Sequence, residues 1–271
     1  MTRAVVKLGG DVLAAPALTV VAEQLAEARA AGHRIVIVHG GGPQATELSR
    51  RLGLESRLVG GRRVTDEATL DVMKMVVAGK LNVDLCAALR AAGVPAVGVS
   101  GTSGVIRAHR RPPRVVSGGG EGAVDFGFVG DVDGFDVELI AALEAAGRVV
   151  VLACLGAGES GAGAGVVLNI NADVVASQLA GALRADALVA CTAVGGVRKD
   201  KNDPDSRLAR LTVAEARAAI ADGTVQGGMI PKLEEAFAPL AAGVAAVHIV
   251  GAGEIARSLA APGSVGTLLV P

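Results

Sequence analysis

Apolar and polar positions alternate along the chain in two distinct patterns. Short apolar runs, which are typical of buried strands, occur at 2–8, 35–38, 96–99, 149–154, 187–190, 247–250 and 267–270. Apolar residues at helical spacing fill many of the intervals and predict helices at 17–31, 44–52, 66–85, 137–146 and 171–183. This alternation predicts a three-layer α/β sandwich with a central, mostly parallel sheet, whose ligands bind at the carboxyl ends of the strands.

The regular spacing of apolar residues weakens between 100 and 136, where glycine, proline and charged residues dominate. Alternating Val and Asp at 127–134 predict paired strands over an opening. The segment also carries a basic run, interpreted as a solvated hairpin edge in preference to an anion site. That run contains Arg107, Arg110, Arg111 and Arg114.

Shorter sequence patterns predict a hairpin, a loop and a helix start elsewhere in the chain. A hairpin is predicted at 57–65 and a flexible loop at 156–165, both from their glycines. Thr212 and Glu215 have the T-x-x-E spacing of a capping box, which predicts the start of a helix.

The run at 35–38 leads through His39 into three consecutive glycines, Gly40 to Gly42, followed by Pro43. Glycines let the backbone turn tightly and expose its N–H groups, and proline suits the first turn of a helix. Backbone donors at the positive end of a helix attract phosphate or carboxylate groups. Taken alone, the stretch is either an anion cradle or only a tight turn between a strand and a helix.

Two lysines and one aspartate could act on such an anion. Lys7 precedes a second glycine turn, Lys232 lies at the entry of a predicted helix, and Asp173 lies at the start of another. Each lysine alone is interpreted as a solubilising surface residue. The two lysines in this setting, with Asp173 to orient them, predict phosphoryl transfer by positioning and electrostatics.

Composition removes several classes of function. Hydrophobic residues make up 51% of the 271 residues and the mean hydropathy is +0.50, but no apolar run approaches the roughly 20 residues of a membrane helix. The net charge is −1 and Trp and Tyr are absent, which disfavours a nucleic-acid partner. Without a charged leader or apolar targeting segment, the expectation is a soluble, cytoplasmic protein without a membrane partner. Cys86, Cys154 and Cys191 lack metal-ligand spacing and are predicted to be core residues.

Several catalytic motifs are absent. The sequence contains no Walker A motif, no kinase catalytic loop, no nucleophile elbow and no G-x-G-x-x-G, so a nicotinamide-binding domain is disfavoured. The four histidines have no matching acid or nucleophile at a telling spacing and are interpreted as core or surface residues. They are His33, His39, His109 and His248.

Seven short motifs follow one another across nearly the whole chain. They are Lys7-Leu8-Gly9-Gly10, His39-Gly40-Gly41-Gly42-Pro43-Gln44, Arg63-Val64-Thr65-Asp66, Gly79-Lys80-Leu81-Asn82, Val129-Gly130-Asp131-Val132, Asn169-Ile170-Asn171-Ala172-Asp173 and Gly228-Met229-Ile230-Pro231-Lys232. In this order they resemble the amino acid kinase family, and within it the acetylglutamate kinases. Each motif is weak alone, and the set is specific.

The resemblance implies a single amino acid kinase domain over 1–271, with an acyl-amino-acid-binding lobe at 1–166 and a nucleotide-binding lobe at 167–271. It implies that ATP phosphorylates the side-chain carboxylate of N-acetyl-L-glutamate to N-acetylglutamyl 5-phosphate in arginine biosynthesis. Mg²⁺ would be carried on the phosphates, with no metal site built from the protein. The missing N-terminal helix of the family's arginine-inhibited hexamers implies an arginine-insensitive homodimer, joined through the long helix after Asp66.

The resemblance also assigns roles to residues. Those implied for catalysis are Lys7 and Lys232, which stabilise the phosphoryl group, and Asp173, which holds both lysines. Contacts to the substrate are implied for Gly41, Gly42, Arg63 and Asn169, and contacts to ATP for Gly9, Gly10, Gly195, Gly196, Gln226 and Met229. A guanidinium suits a carboxylate, which agrees with the role implied for Arg63.

The chain departs from the family pattern at several positions. Arg62 stands where the family has Leu, Thr102-Ser103 where it has Lys-Asp, and Ala193 where it has Asp, and a usual proline is missing near Leu155. None of these departures removes a catalytic charge. Two alternatives stay open: a kinase for aminoadipate or glutamate carried on a protein, and a nucleotide-binding regulatory module without turnover.

Overall fold

The computed structural model describes residues 1–116, 122–158, 163–200, 203–227 and 229–271. Its strands are β1 (Arg3–Leu8), β2 (Arg34–His39), β3 (Leu58–Val59), β4 (Arg62–Arg63), β5 (Ala96–Ser100), β6 (Ile106–Arg110), β7 (Gly130–Phe135), β8 (Val149–Ala153), β9 (Leu155–Gly158), β10 (Val167–Asn169), β11 (Ala187–Cys191), β12 (Arg210–Thr212), β13 (Ala246–Val250) and β14 (Thr267–Val270). Its helices are α1 (Ala17–Ala30), α2 (Gly42–Arg51), α3 (Glu67–Met73), α4 (Asn82–Ala91), α5 (Val137–Ala145), α6 (Ala172–Ala182), α7 (Val213–Ala221), α8 (Met229–Ala241) and α9 (Ile255–Ala260).

The central sheet has the strand order β12-β14-β13-β11-β1-β2-β8-β5. All pairings from β13 to β5 are parallel, whereas β14 runs antiparallel to β13 and parallel to β12. The predicted mostly parallel sheet is confirmed. Because β1 lies in the middle of the sheet, its carboxyl end lies beside those of β2 and β11. Lys7 is therefore at the centre of the edge formed by the carboxyl ends of the parallel strands.

Helices cover both faces of this sheet. On one face, Val6 and Leu8 of β1 belong to a core that includes Leu25 of α1 and Leu85 of α4. On the other face, Val5 belongs to a second core with residues of α5, α6 and α8. Alternate residues of a strand point to opposite faces, so strands buried on both sides are apolar at successive positions, as the sequence is. The predicted three-layer arrangement is confirmed.

A smaller sheet of order β10-β9-β6-β7 and the two-stranded hairpin β3-β4 border the same edge. The predicted hairpin and the predicted paired strands are confirmed. The prediction of a loop at 156–165 is wrong for 156–158, which belong to β9, while 159–162 lie outside the described residues. A Cβ at Gly156 would lie 2.6 Å from Ile170 Cδ1 and 2.9 Å from Ala108 Cβ, so this glycine permits close packing inside a strand.

The predicted long helix exists, but it is not uniform. Asp66 caps it by accepting a hydrogen bond from Thr69 N at 2.8 Å, and α3 then passes through a π-helical segment, Lys74–Leu81, into α4. A π segment changes the rotational register of the helix that follows and often lies at a functional site. Here it lies beneath the glycine turn that follows β2, with Leu81 and Val77 closest to Gly41.

Other local expectations can be compared directly. Both hydrogen bonds of the Thr212–Glu215 capping box are present, whereas the short elements β10, β12 and α9 have no counterpart among the sequence predictions. The glycine-rich stretch at 117–121 lies outside the described residues. Across the described ranges, no helix combines the length and hydropathy needed to cross a membrane.

The cap of α5 provides a test of local stability. The Asp136 carboxylate accepts a hydrogen bond from Leu139 N at 2.9 Å, and α5 buries Ile140 completely. We expect Asp136→Ala to lower the free energy of unfolding by about 1 kcal/mol in urea titration, because an N–H of the first turn loses its acceptor. Asp136→Asn, which keeps an acceptor at the cap, is the matched control. Equal losses in the two variants would contradict the capping role.

Candidate active site

The Lys7–Asp173 ion pair forms the centre of the site. Lys7 lies next to the end of β1, and Asp173 lies in the first turn of α6 behind the cap residue Asn171, whose side chain accepts from Asp173 N at 2.7 Å. Lys7 Nζ is 2.6 Å from Asp173 Oδ1, and the two side chains are 13% and 27% exposed. A partly buried carboxylate at this distance fixes the direction of the ammonium group, so the predicted orienting contact between these two residues is present.

Two glycine turns are locked together beside this pair. Gln44 Nε2, in α2, donates to Gly10 O at 2.7 Å, which joins the turn after β2 to the turn after β1. A Cβ at Gly10 would lie 2.6 Å from Pro43 Cδ, and a Cβ at Gly41 would lie 2.5 Å from Leu81 Cδ1. Glycine is therefore required at both positions for the two turns to pack together.

A cavity of about 650 Å³ opens above these turns. It brings together eight residues singled out from the sequence: Lys7, Gly9, Gly10, Gly41, Gly42, Arg63, Asn169 and Asp173. Basic side chains and backbone N–H groups therefore converge at the carboxyl edge of the sheet. This arrangement suits a ligand with more than one anionic group.

A second cavity of about 270 Å³ adjoins the first. Lys232 and Pro231 of α8 line it, together with apolar side chains such as Leu188 and Val247, and Lys7 and Asp173 line both cavities. Burial lowers the pKa of Lys232, and the charge of Lys7 lowers it further. The two lysines thus line the same small cavity and are close enough for their charges to interact.

Glu235 also lines both cavities, and the sequence analysis missed it. Its side chain is open to the cleft, but the surrounding protein limits its hydration. This limited hydration raises the pKa of the Glu235 carboxyl group, and the nearby Asp173 carboxylate raises it further. The charges of Lys7 and Lys232 act in the opposite direction, and the resulting pKa is about 7. Glu235 follows Lys232 by three residues in α8, a spacing that puts both on one helix face and could have identified it.

The basic run in and after β6 divides between two environments. Arg110 is exposed and pairs with Asp125, which fits the interpretation as a solvated hairpin edge, whereas Arg111 and Arg114 contradict it. Arg111 is only 6% exposed and pairs with Asp131 through Nε and Nη2, with Nη2 2.6 Å from Oδ1. Arg114 is exposed, but it lines the large cavity, as do Arg111 and Asp131. The β6-β7 pairing places Arg111 and Asp131 side by side, a long-range contact that residue spacing could not indicate.

Arg62 is a further cation at this cavity. Partial loss of hydration lowers the pKa of the Arg114 guanidinium, and the neighbouring charges of Arg111 and Arg62 lower it further, so these guanidinium groups lie near one another. Neither the Arg62 nor the Arg114 side chain forms a hydrogen bond or ion pair within the described ranges. Both are available for an anion in the cavity.

Arg63 and Asn169 face the same space but already have protein partners. Arg63 Nη2 donates to Gly42 O at 3.1 Å and to Thr46 Oγ1 at 2.6 Å, and its Nη1 donates to Ser56 Oγ at 2.9 Å. Asn169 Nδ2 donates to Thr65 Oγ1 at 3.1 Å. Arg63 therefore also braces the glycine turn, a role that the sequence analysis did not foresee.

The residues predicted to contact ATP separate into two groups. Gly9 and Gly10 line the large cavity, whereas Gly195, Gly196, Gln226 and Met229 are not among the lining residues of either cavity. Gly195 and Gly196 follow β11 with φ of 66° and 132°, close to Gly251 and Gly266 respectively. Gly195 and Gly196 therefore lie at the carboxyl edge near β13 and β14, and the contact of all four residues with nucleotide stays a prediction.

The prediction of core positions holds for two of the three cysteines, while Cys86 is only half-buried against the core. All three cysteines are free, Cys154 and Cys191 are buried, and burial raises the pKa of Cys191 to about 12 and that of Cys154 still further. His248 is a core residue, and burial lowers its pKa to about 4. Within the described ranges, no group of three or more His, Cys, Asp or Glu side chains could hold a metal ion.

Comparison with known sequences relates this geometry to named proteins. The model of the amino acid kinase family matches residues 2–251. Acetylglutamate kinase of Anaeromyxobacter dehalogenans (strain 2CP-1) is 55% identical over 274 residues, which cover 100% of this chain and 99% of that protein. Acetylglutamate kinase of Sorangium cellulosum (strain So ce56) is 54% identical over 271 residues, which cover 98% of this chain and 94% of that protein.

Solved structures agree on the fold. N-acetylglutamate synthase of Neisseria gonorrhoeae matches with a TM-score of 0.82 at 25% identity, and the match covers 100% of this chain but only 59% of the synthase. Carbamate kinase of Giardia lamblia matches with a TM-score of 0.70 at 17% identity, over 99% of this chain and 98% of the kinase. The family model, the full-length relatives and the shared fold together lead to one conclusion: the chain belongs to the amino acid kinase family.

Proposed function

We propose that the chain catalyses the ATP-dependent phosphorylation of the side-chain carboxylate of N-acetyl-L-glutamate, giving N-acetylglutamyl 5-phosphate and ADP in arginine biosynthesis. One observation carries the proposal. The Lys7–Asp173 pair lies between a cavity lined by two interlocked glycine turns and an adjoining cavity lined by Lys232, in a chain 55% identical over its full length to an acetylglutamate kinase.

The reaction requires two negatively charged reactants to approach. A carboxylate oxygen of the acceptor attacks the γ-phosphorus, a new P–O bond forms, and the bond to the β-γ bridging oxygen breaks so that ADP leaves with the electron pair. Lys7 and Lys232 reduce the repulsion from the two sides of the transferring group, and Asp173 holds Lys7 in place. Such catalysis consists of positioning and electrostatics.

The large cavity is proposed to bind the acceptor. Arg63 and Asn169 would hold its α-carboxylate and amide end, while Gly41 and Gly42 face the reacting carboxylate. Three N–H groups of Arg63 already serve Ser56, Gly42 and Thr46, so the unpaired guanidinium of Arg62 is a second candidate for the α-carboxylate. This contact would supply N–H donors in addition to those that Arg63 already uses on the protein.

The smaller cavity is proposed to admit the nucleotide. Its apolar walls beside Lys232 suit a ligand with a hydrophobic part and a polyphosphate. Mg²⁺ would enter on the phosphates and neutralise part of their charge, since the described residues offer no cluster of protein ligands for a metal.

A homodimer is also proposed. Met75 in the π segment and Val83 in α4 are 51% and 63% exposed, although both are large and apolar. Their positions on the long helix favour that helix as the contact between two copies.

A direct test is to trap the acyl phosphate. With ATP, N-acetyl-L-glutamate and hydroxylamine, the wild-type chain should form the hydroxamate, and Lys7→Ala should lower kcat by about 10²- to 10³-fold while ATP still binds in calorimetry. Lys74→Ala removes a surface lysine paired with Asp71 and is the matched control. Absence of wild-type turnover, or turnover only with glutamate or aminoadipate carried on a protein, would overturn the proposal.

A second prediction concerns the acceptor end of the cavity. Arg62→Leu should raise KM for N-acetyl-L-glutamate by about three- to tenfold with little change in KM for ATP, because one guanidinium partner of the α-carboxylate is removed. Arg57→Leu is the matched control, since Arg57 belongs to the same hairpin region but does not line either cavity. An unchanged KM for the acceptor would exclude this contact.

A third prediction uses the pKa of Glu235. Because that pKa is raised to about 7, the carboxyl group is mostly neutral at pH 6 and mostly charged at pH 8, where it repels the phosphates. The ratio of Kd for ATP in the wild type to Kd in Glu235→Gln should be close to one at pH 6 and should rise at pH 8. Calorimetry at both pH values measures this ratio, and a ratio independent of pH would contradict the assignment.

A further inference from the structure

His39 is a fully buried polar residue directly before the glycine turn, and the reaction proposed above gives it no role. Its ring has two contacts. Nδ1 lies 3.0 Å from the carbonyl oxygen of Gly40, and Nε2 lies 3.0 Å from Nδ2 of Asn82, the first residue of α4. Burial lowers the pKa of His39, which favours the neutral ring.

The contacts of Asn82 determine which ring nitrogen carries the proton. Asn82 Nδ2 also donates to Val151 O at 3.0 Å, and a carbonyl oxygen can only accept, so the amide nitrogen must face both groups. Its second N–H then donates to His39 Nε2, which must be unprotonated. The remaining proton is on Nδ1, where it donates to Gly40 O. All three hydrogen bonds are satisfied in only this tautomer.

The Gly40 carbonyl belongs to the peptide unit whose other end is the N–H of Gly41. In a trans peptide the C=O and the N–H point in opposite directions. A carbonyl held inward by the His39 ring therefore turns the Gly41 N–H outward, and Gly41 lines the large cavity. Within the described ranges, the Gly41 N–H has no hydrogen-bond acceptor, so it is available to a ligand.

The surrounding packing leaves Asn82 little freedom. A Cβ at Gly98 in β5 would collide with Asn82 Oδ1, so the strand has no side chain at the position that the amide occupies. Cys86 Sγ lies 4.0 Å from the same oxygen, and Leu81 packs against Gly41. Asn82 is thus fixed by β5 and β8 and fixes His39 in turn.

We propose that His39, held in the Nδ1–H tautomer by Asn82, is a positioning residue that aims the Gly41 N–H at the oxygen atoms of the phosphoryl group in transfer. The kinetic test of this inference rests on the proposed carboxyl kinase reaction, whereas its spectroscopic test does not.

Two substitutions at His39 distinguish the role of Nδ1 from that of Nε2. The amide of His39→Asn can place a donor near the original Nδ1, whereas that of His39→Gln reaches toward the original Nε2. We expect His39→Asn to keep kcat within about threefold and His39→Gln to lower it at least about tenfold, with KM for ATP nearly constant in both, because only the first can hold the Gly40 carbonyl.

Asn82 supplies an independent comparison. Asn82→Ala should lower kcat in the wild-type background but should cost little more in the His39→Gln background, because Asn82 acts through His39. Thermal unfolding of every variant measures the structural part of each change. Equal kcat losses in His39→Asn and His39→Gln that follow their losses of stability, or fully additive effects of the two sites, would overturn the proposal.

The tautomer of His39 can be measured directly in the wild-type protein. In ¹⁵N NMR, His39 should show a protonated Nδ1 and an unprotonated Nε2 at neutral pH. The opposite tautomer or a charged ring would overturn the inference even if every variant failed to fold. Absence of wild-type turnover together with the expected tautomer would instead count against the proposed function.

Discussion

The contact between Lys7 and Asp173 determines how the rest of the site can be built. It joins the central strand β1 to the first turn of α6, and both cavities open on it. Removing a cation and an anion from water costs free energy unless the two charges interact closely. The Lys7–Asp173 pair, at 2.6 Å, therefore stabilises the charge of Lys7 in a partly buried position. The parallel sheet provides the position, because its strands deliver their carboxyl ends to a single edge.

Much of this arrangement could be predicted from the sequence. The apolar runs at successive positions predict the parallel strands. The glycines before Pro43, together with Lys7 and Asp173, predict one site for phosphoryl transfer, and the resemblance to a family adds the role of each residue. These signals are local: a strand, a turn and a helix start are each encoded within about ten residues. The topology of a parallel sheet then brings such local features together without any further information.

Features that depend on contacts distant in sequence were missed. Arg111 belongs to a basic run that the sequence suggests is solvent-exposed. The pairing of β6 with β7 instead brings Arg111 next to Asp131 in a buried position. Gly156 looks like part of a loop because glycine disfavours strands, although in the fold it leaves room for Ile170. Glu235 could have been found from its position on the helix face of Lys232. Its raised pKa depends first on burial by the surrounding protein and then on Asp173, and no pattern within α8 contains either.

The π segment in the long helix limits how this chain can change in length. Each residue of an α-helix advances the side chains by about 100° around the axis, so the loss or gain of one residue there would rotate everything that follows. Asn82 begins α4 directly after this segment and must meet both His39 and Val151. A one-residue deletion or insertion between 74 and 81 would thus turn Asn82 away from His39 and turn the buried Leu85 and Leu89 of α4 away from the core. The number of residues in the π segment is therefore constrained twice, by the buried amide of Asn82 and by the apolar face of α4 that follows it.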